Sequence, residues 1–153
     1  MEQRLKKAMQ DSISEVLGTM FYMPLEFDPE ESLEGSGLFR EARICAAKLD
    51  FKGPVSGSLL MLIPEKLLKT MTSDFMGSTE VGPEQMAGTL KEIVNMVAGN
   101  TFSIYDSSAD FSLGIPEMLS SSSVTPHFFA GEGVFLLVES LEAPIGVWME
   151  IRS

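Results

Sequence analysis

A single cysteine, a single histidine and a shortage of basic residues set the first limits on this 153-residue chain. With Cys45 alone, no disulfide can form within the chain, which fits a reducing compartment. A catalytic thiol needs a basic neighbour to lower its pKa. Cys45 lies in the apolar run Ile44-Cys45-Ala46-Ala47, the setting of a buried strand residue. His127 has no second His or Cys near it, so metal-site spacing is missing. No G-x-S-x-G elbow accompanies it, which argues against a Ser-His-Asp hydrolase. A Gly-rich phosphate loop and a dinucleotide fingerprint are also missing. No segment approaches the ~20 apolar residues that span a bilayer. The opening MEQRLKKAMQDSISEV has no apolar signal core. The expectation is a cytoplasmic protein without membrane insertion.

Lys and Arg total 11 against 22 Asp and Glu, a formal charge of -11. Such a surface repels nucleic-acid phosphates and anionic lipid heads and attracts a basic patch on a partner. Hydrophobic residues make up 44%, enough for a packed core. The length suits one domain over residues 1–153. Eight prolines and 13 glycines imply several turns between short elements.

Leu5, Met9, Ile13, Val16, Leu17 and Met20 recur at helical spacing over residues 3–23, and Pro24 ends the helix. An acidic loop spans Asp28 to Gly37. Strands are expected over 39–51 and 55–63, turning at Gly53-Pro54. In the second of these, Val55, Gly57, Leu59, Met61 and Ile63 alternate with Ser56 and Ser58, a half-buried pattern. Pro64 opens a short helix ending near Gly77, and Pro83 opens the longest, over 83–105. Phe111, Leu113 and Ile115 alternate before Pro116, and Ser120 to Ser123 reads as a loop. Val134 to Glu139 and Ile145 to Ile151 read as two final strands.

The two halves repeat each other. Each has a long helix carrying a glutamate, then a Pro-Glu pair (Pro29-Glu30, Pro116-Glu117), then two strands around Gly53-Pro54 or Ala143-Pro144. Glu15-Val16-Leu17-Gly18 aligns with Glu92-Ile93-Val94-Asn95. The fold class is α/β of the α+β two-layer kind. The expected architecture is a mixed sheet with long helices on one face, built from duplicated αββ halves.

On the long helix, Met86, Leu90, Ile93, Val94 and Val97 line one stripe. At roughly 100° per residue, Glu92 and Asn95 point away from it and neighbour each other. Gly88 and Gly99 lie on the same outward face. Each glycine costs about 1 kcal/mol relative to Ala inside a helix. A smooth surface with one acid and one amide standing from it is the layout of a docking face. From spacing alone, an ordinary exposed helix face is the simpler explanation of the two polar residues, and Gly99 alone could be a helix-end signal.

The run Glu92-Ile93-Val94-Asn95-Met96-Val97-Ala98-Gly99-Asn100 resembles the E-x-x-N active-site helix of the CheC/CheX/FliY phosphatases of bacterial chemotaxis. The preceding Gly88-Thr89-Leu90-Lys91, Pro116 some twenty residues later and the N-terminal AMQDSISEVLGTMFYMPLEF also fit. CheC-like members carry the acid and amide on both helices, CheX-like members on the second only. Here Gly18 stands where the first amide would be, and Gly88 stands where CheC-like members often have Ser or Asp. The resemblance is therefore to a single-site, CheX-like protein.

What the resemblance implies is hydrolysis of the aspartyl phosphate of a CheY-like receiver, with Asn95 orienting the attacking water and Glu92 docking to a receiver lysine. Gly88, Met96 and Gly99 would form the docking surface around them. It implies no cofactor in this chain, Mg2+ in the partner receiver, and a homodimer. The alternative is a non-catalytic module of the same fold that binds a receiver or a flagellar-switch component. A self-associating scaffold is the third reading. Trp148 and Glu150 share one strand face, either as a partly exposed aromatic or as a dimer contact. The 11 methionines read as adaptable core filler.

Overall fold

The computed structural model describes residues 2–27, 38, 43–120, 132–140 and 142–152. The acidic segment 28–37 with Pro29-Glu30, the start of the first expected strand (39–42), Ser121 to Ser123 and His127 lie outside the described residues.

Helix α1 (Glu2–Phe21) buries Leu5, Met9, Ile13, Val16 and Leu17, the stripe expected from their spacing. Helix α2 (Glu65–Met76) follows Pro64 and stops at Gly77, whose φ of 67° is left-handed and favours glycine. Helix α3 (Pro83–Tyr105) has the bounds its proline and apolar periodicity imply. Its start is fixed by the Gly82 N–H, which donates to Gln85 Oε1 at 2.9 Å. Its end is held by Arg4, whose Nη2 donates to the Tyr105 carbonyl at 2.9 Å.

The strands are β1 (Glu26–Phe27), β2 (Ile44–Lys52), β3 (Ser56–Pro64), β4 (Ser112–Leu113), β5 (Glu117–Leu119), β6 (Gly133–Glu139) and β7 (Pro144–Arg152). They form one sheet in the order β1-β6-β7-β3-β2-β4, with β5 also on β2. Every described pairing is antiparallel, which corrects the expected mixed sheet. The reason is the duplication itself. The order reads the same from either end when β1 is matched with β4, β6 with β2 and β7 with β3. Aligning Pro54 with Pro144 makes Leu59 equivalent to Met149, and those two residues face each other across β3 and β7. A two-fold axis passing between equivalent strands makes them run in opposite directions. Helix α2 lies outside both repeats.

The helices cover one face. Ala47, Leu49 and Phe51, Leu59, Met61 and Ile63, and Val147 and Met149 join the helix stripes in the main core. The other face carries a second cluster: Leu38, Ala46, Leu60, Leu62 and Trp148. Strand β3 is therefore central and buried along both faces, rather than half-buried as its alternation implied. Ser58 is only 3% exposed, and its hydroxyl donates to Asp50 Oδ1. Trp148 is 6% exposed and belongs to the second cluster, so the reading of a partly exposed aromatic does not hold.

Candidate active site

Helix α3 presents two faces of opposite character. Thr89, Leu90, Ile93, Val94, Val97, Ala98, Thr101 and Phe102 are buried. Gly88, Glu92 and Asn95 are exposed, Met96 is 36% exposed and Gly99 is half-buried. The acid and amide stand where helical geometry puts them, one turn apart on the solvent side, with Cβ atoms about 5–6 Å apart.

Neither glycine of this face is required by packing among the described residues. A Cβ at Gly88 would meet nothing within 4 Å, and one at Gly99 would only touch Leu113 Cδ1 at 3.9 Å. Each of these glycines costs the helix about 1 kcal/mol relative to Ala.

Two elements flank the face. On one side α1 runs antiparallel to α3: Arg4 reaches Tyr105, and the buried Ser12 hydroxyl donates to the Val97 carbonyl at 2.8 Å. Asn100 Nδ2 donates to Glu15 Oε2 at 3.2 Å. Val16, Met20 and Met96 line a groove of about 280 Å³ between the helices. On the other side β4 and β5 lie alongside α3. Gly99, Ser103, Asp106, Asp110 and Leu113 border a hollow of about 230 Å³ there. Asp106 accepts from the Ser108 hydroxyl at 2.7 Å and the Ser108 N–H at 3.0 Å, and these bonds hold its carboxyl below the ordinary Asp range.

Of the segment from Leu113 to Leu119, the sequence ties only Pro116 to the α3 motif, through the family resemblance. Gly114 and Pro116 were the local signal: a glycine and a proline two apart inside an alternating run mark a bulge. Cys45 sits half-buried on β2. Desolvation raises its thiol pKa, Glu65 adds to this and Arg43 works against it. It therefore lacks the environment of a nucleophile. Among the described residues, no three His, Cys, Asp or Glu side chains converge as metal ligands would. No helix there is long and apolar enough to cross a membrane.

The model of the family "Chemotaxis phosphatase CheX" matches residues 45–135, more than half of the chain. No curated protein matches in sequence. Among solved structures, a CheC-like superfamily protein from Shewanella sp. PV-4 superposes with a TM-score of 0.79 at 21% identity, covering 100% of both chains. The chemotaxis protein CheX from Vibrio vulnificus gives 0.76 at 19% identity, over 97% of this chain and 96% of that one. A CheX-CheY-BeF3-Mg complex from Borrelia burgdorferi gives 0.73 at 17% identity, over 96% and 97%. At these identities the likeness establishes a shared fold.

Proposed function

This chain belongs to the CheX family of chemotaxis phosphatases, and from that premise we propose that it hydrolyses the aspartyl phosphate of a CheY-like receiver, using Glu92 and Asn95. The observation that carries the reading is the pairing of these two exposed side chains on one glycine-flanked face of α3. A structural neighbour has been solved bound to CheY with beryllium fluoride and magnesium.

Phosphoryl transfer depends mainly on positioning and charge stabilisation, with little covalent work for the protein. Asn95 fits that need. Its carboxamide oxygen accepts a hydrogen bond from water and turns a water lone pair toward phosphorus. The water oxygen bonds to phosphorus as the bond to the aspartyl oxygen breaks. Aspartate leaves as a carboxylate, and the water proton passes to phosphate or solvent. Asn95 never titrates. Glu92 holds register by pairing with a lysine beside the phosphorylated residue, a charge-assisted bond of about 1.5–3 kcal/mol when water is excluded. The divalent cation that neutralises phosphoryl oxygens is expected in the receiver.

The test is phosphate release from a phosphorylated CheY receiver with and without this protein. Accelerated release supports the reading. Binding without acceleration would make the chain the non-catalytic module instead.

A further inference from the structure

Strands β4 and β5 both pair with β2, but not in one register. Leu113 faces Phe51 in β4, and Glu117 faces Lys48 in β5. Between these pairs β2 has two residues, Leu49 and Asp50, while the other strand has three, Gly114, Ile115 and Pro116. One extra residue in one strand is a β-bulge, a device that re-aims side chains and recurs beside active sites. The bulge is anchored. The Gly114 N–H donates to the Asp50 carbonyl at 2.7 Å. A Cβ at Gly114 would lie 3.2 Å from that same oxygen, so the close approach favours glycine.

Ile115, in the middle of the bulge, is 90% exposed, more than any other large apolar residue described. It contributes almost nothing to the core, yet the backbone on both sides is held by sheet pairing. The paired strands on either side run next to α3, and Leu113 approaches Gly99 one turn beyond Asn95. The bulge thus holds an exposed apolar knob two residues beyond Leu113, the side chain that reaches the edge of the acid-and-amide face at Gly99. On the far border stands Met96, also partly exposed.

We propose that Ile115 is a docking knob for the receiver, inserted into an apolar recess beside the receiver's phosphorylated aspartate. The proposal rests on the receiver-phosphatase reading of α3. Glu92 must be freed of bulk water to hold a lysine. Apolar contacts around a polar centre perform that exclusion at interfaces. Asp106 and Asp110 border the hollow beside Leu113 and Gly99, and this acidic edge suits a receiver surface bearing lysine.

The experiment is steady-state dephosphorylation of a CheY receiver charged with acetyl phosphate, for wild type, Ile115→Ser, Ile115→Leu and Asn95→Ala. For Ile115→Ser we expect KM for the phospho-receiver to rise about tenfold, the scale of burying one large aliphatic group, with kcat within about twofold. Its melting temperature should equal that of wild type, because the side chain is exposed. Ile115→Leu should keep the wild-type KM. If Ile115→Ser keeps the wild-type KM while Asn95→Ala is inactive, the knob is wrong and the site assignment stands. If wild type accelerates no phospho-receiver, both fall together. If Ile115→Ser leaves KM unchanged but alters the sedimentation mass, the residue joins copies of this chain, and the proposal is overturned.

Discussion

Asn100 Nδ2 donates to Glu15 Oε2 across the α1–α3 interface, at 3.2 Å. Glu15 is the counterpart of Glu92 in the first repeat, and the two acids differ in what surrounds them. Glu15 is engaged by the other helix, and Gly18 follows it in place of an amide. On the proposed assignment, helix α1 keeps the acid without the amide, and that acid serves an interhelical contact. Glu15→Ala is expected to leave kcat/KM for a phospho-receiver within about twofold of wild type. Glu92→Ala should raise KM about tenfold, the scale of one lost charge-assisted bond. A receiver titration of both variants separates the two helices.

Gly88 supplies a test in which stability and activity move in opposite directions. A Cβ there meets nothing within 4 Å, so Gly88→Ala should stabilise α3 by about 1 kcal/mol. The same methyl would stand on the surface the receiver approaches, so KM should rise. Gly18 is equally open on α1. Gly18→Ala should give the stability gain without the KM change. Urea unfolding together with the receiver assay reads both effects.

Inside the α1–α3 interface two hydroxyls have different fortunes. Ser12 is buried and donates to the Val97 carbonyl, whereas Thr101 Oγ1 is buried with no hydrogen-bond partner among the described residues. Ser12→Ala should cost about 1 kcal/mol. Thr101→Val removes an unsatisfied group at nearly constant shape and should gain about 1 kcal/mol. Chemical denaturation midpoints check both signs.

Burial raises the Cys45 thiol, so less of it is thiolate at a given pH than in the unfolded chain. Alkylation at mildly alkaline pH should run slower in the folded protein than in urea. Equal rates would contradict the half-buried placement.

How much of this was legible in the sequence depends on the range over which each residue acts. Pro64, Pro83 and Gly77 act within a turn, and the bounds of α2 and α3 follow from them. The outward position of Glu92 and Asn95 follows from the helical repeat alone, once Ile93, Val94 and Val97 are seen to face the core. The repeat of the halves was also legible, because Gly53-Pro54 and Ala143-Pro144 sit at matching places. Strand direction was not. Alternating apolar residues say which way side chains point, but not which strand lies alongside.

Trp148 shows the same limit. Its face, opposite Val147 and Met149, was correctly placed. Its covering comes from a cluster that includes Leu38, more than a hundred residues away in sequence, and no local pattern contains that contact. Ile115 was read as one position in an alternating run, and its exposure depends on a one-residue slip between two separate pairings with β2.

The most direct measurement is the decay of a radiolabelled phospho-receiver in the presence of Asn95→Ala, with binding followed on the same preparation. The expected result is loss of acceleration by about a hundredfold or more, the scale of one lost positioning group, while the variant still binds the receiver. Hydrolysis by Asn95→Ala at the wild-type rate would contradict the assignment of the water-orienting role to that amide.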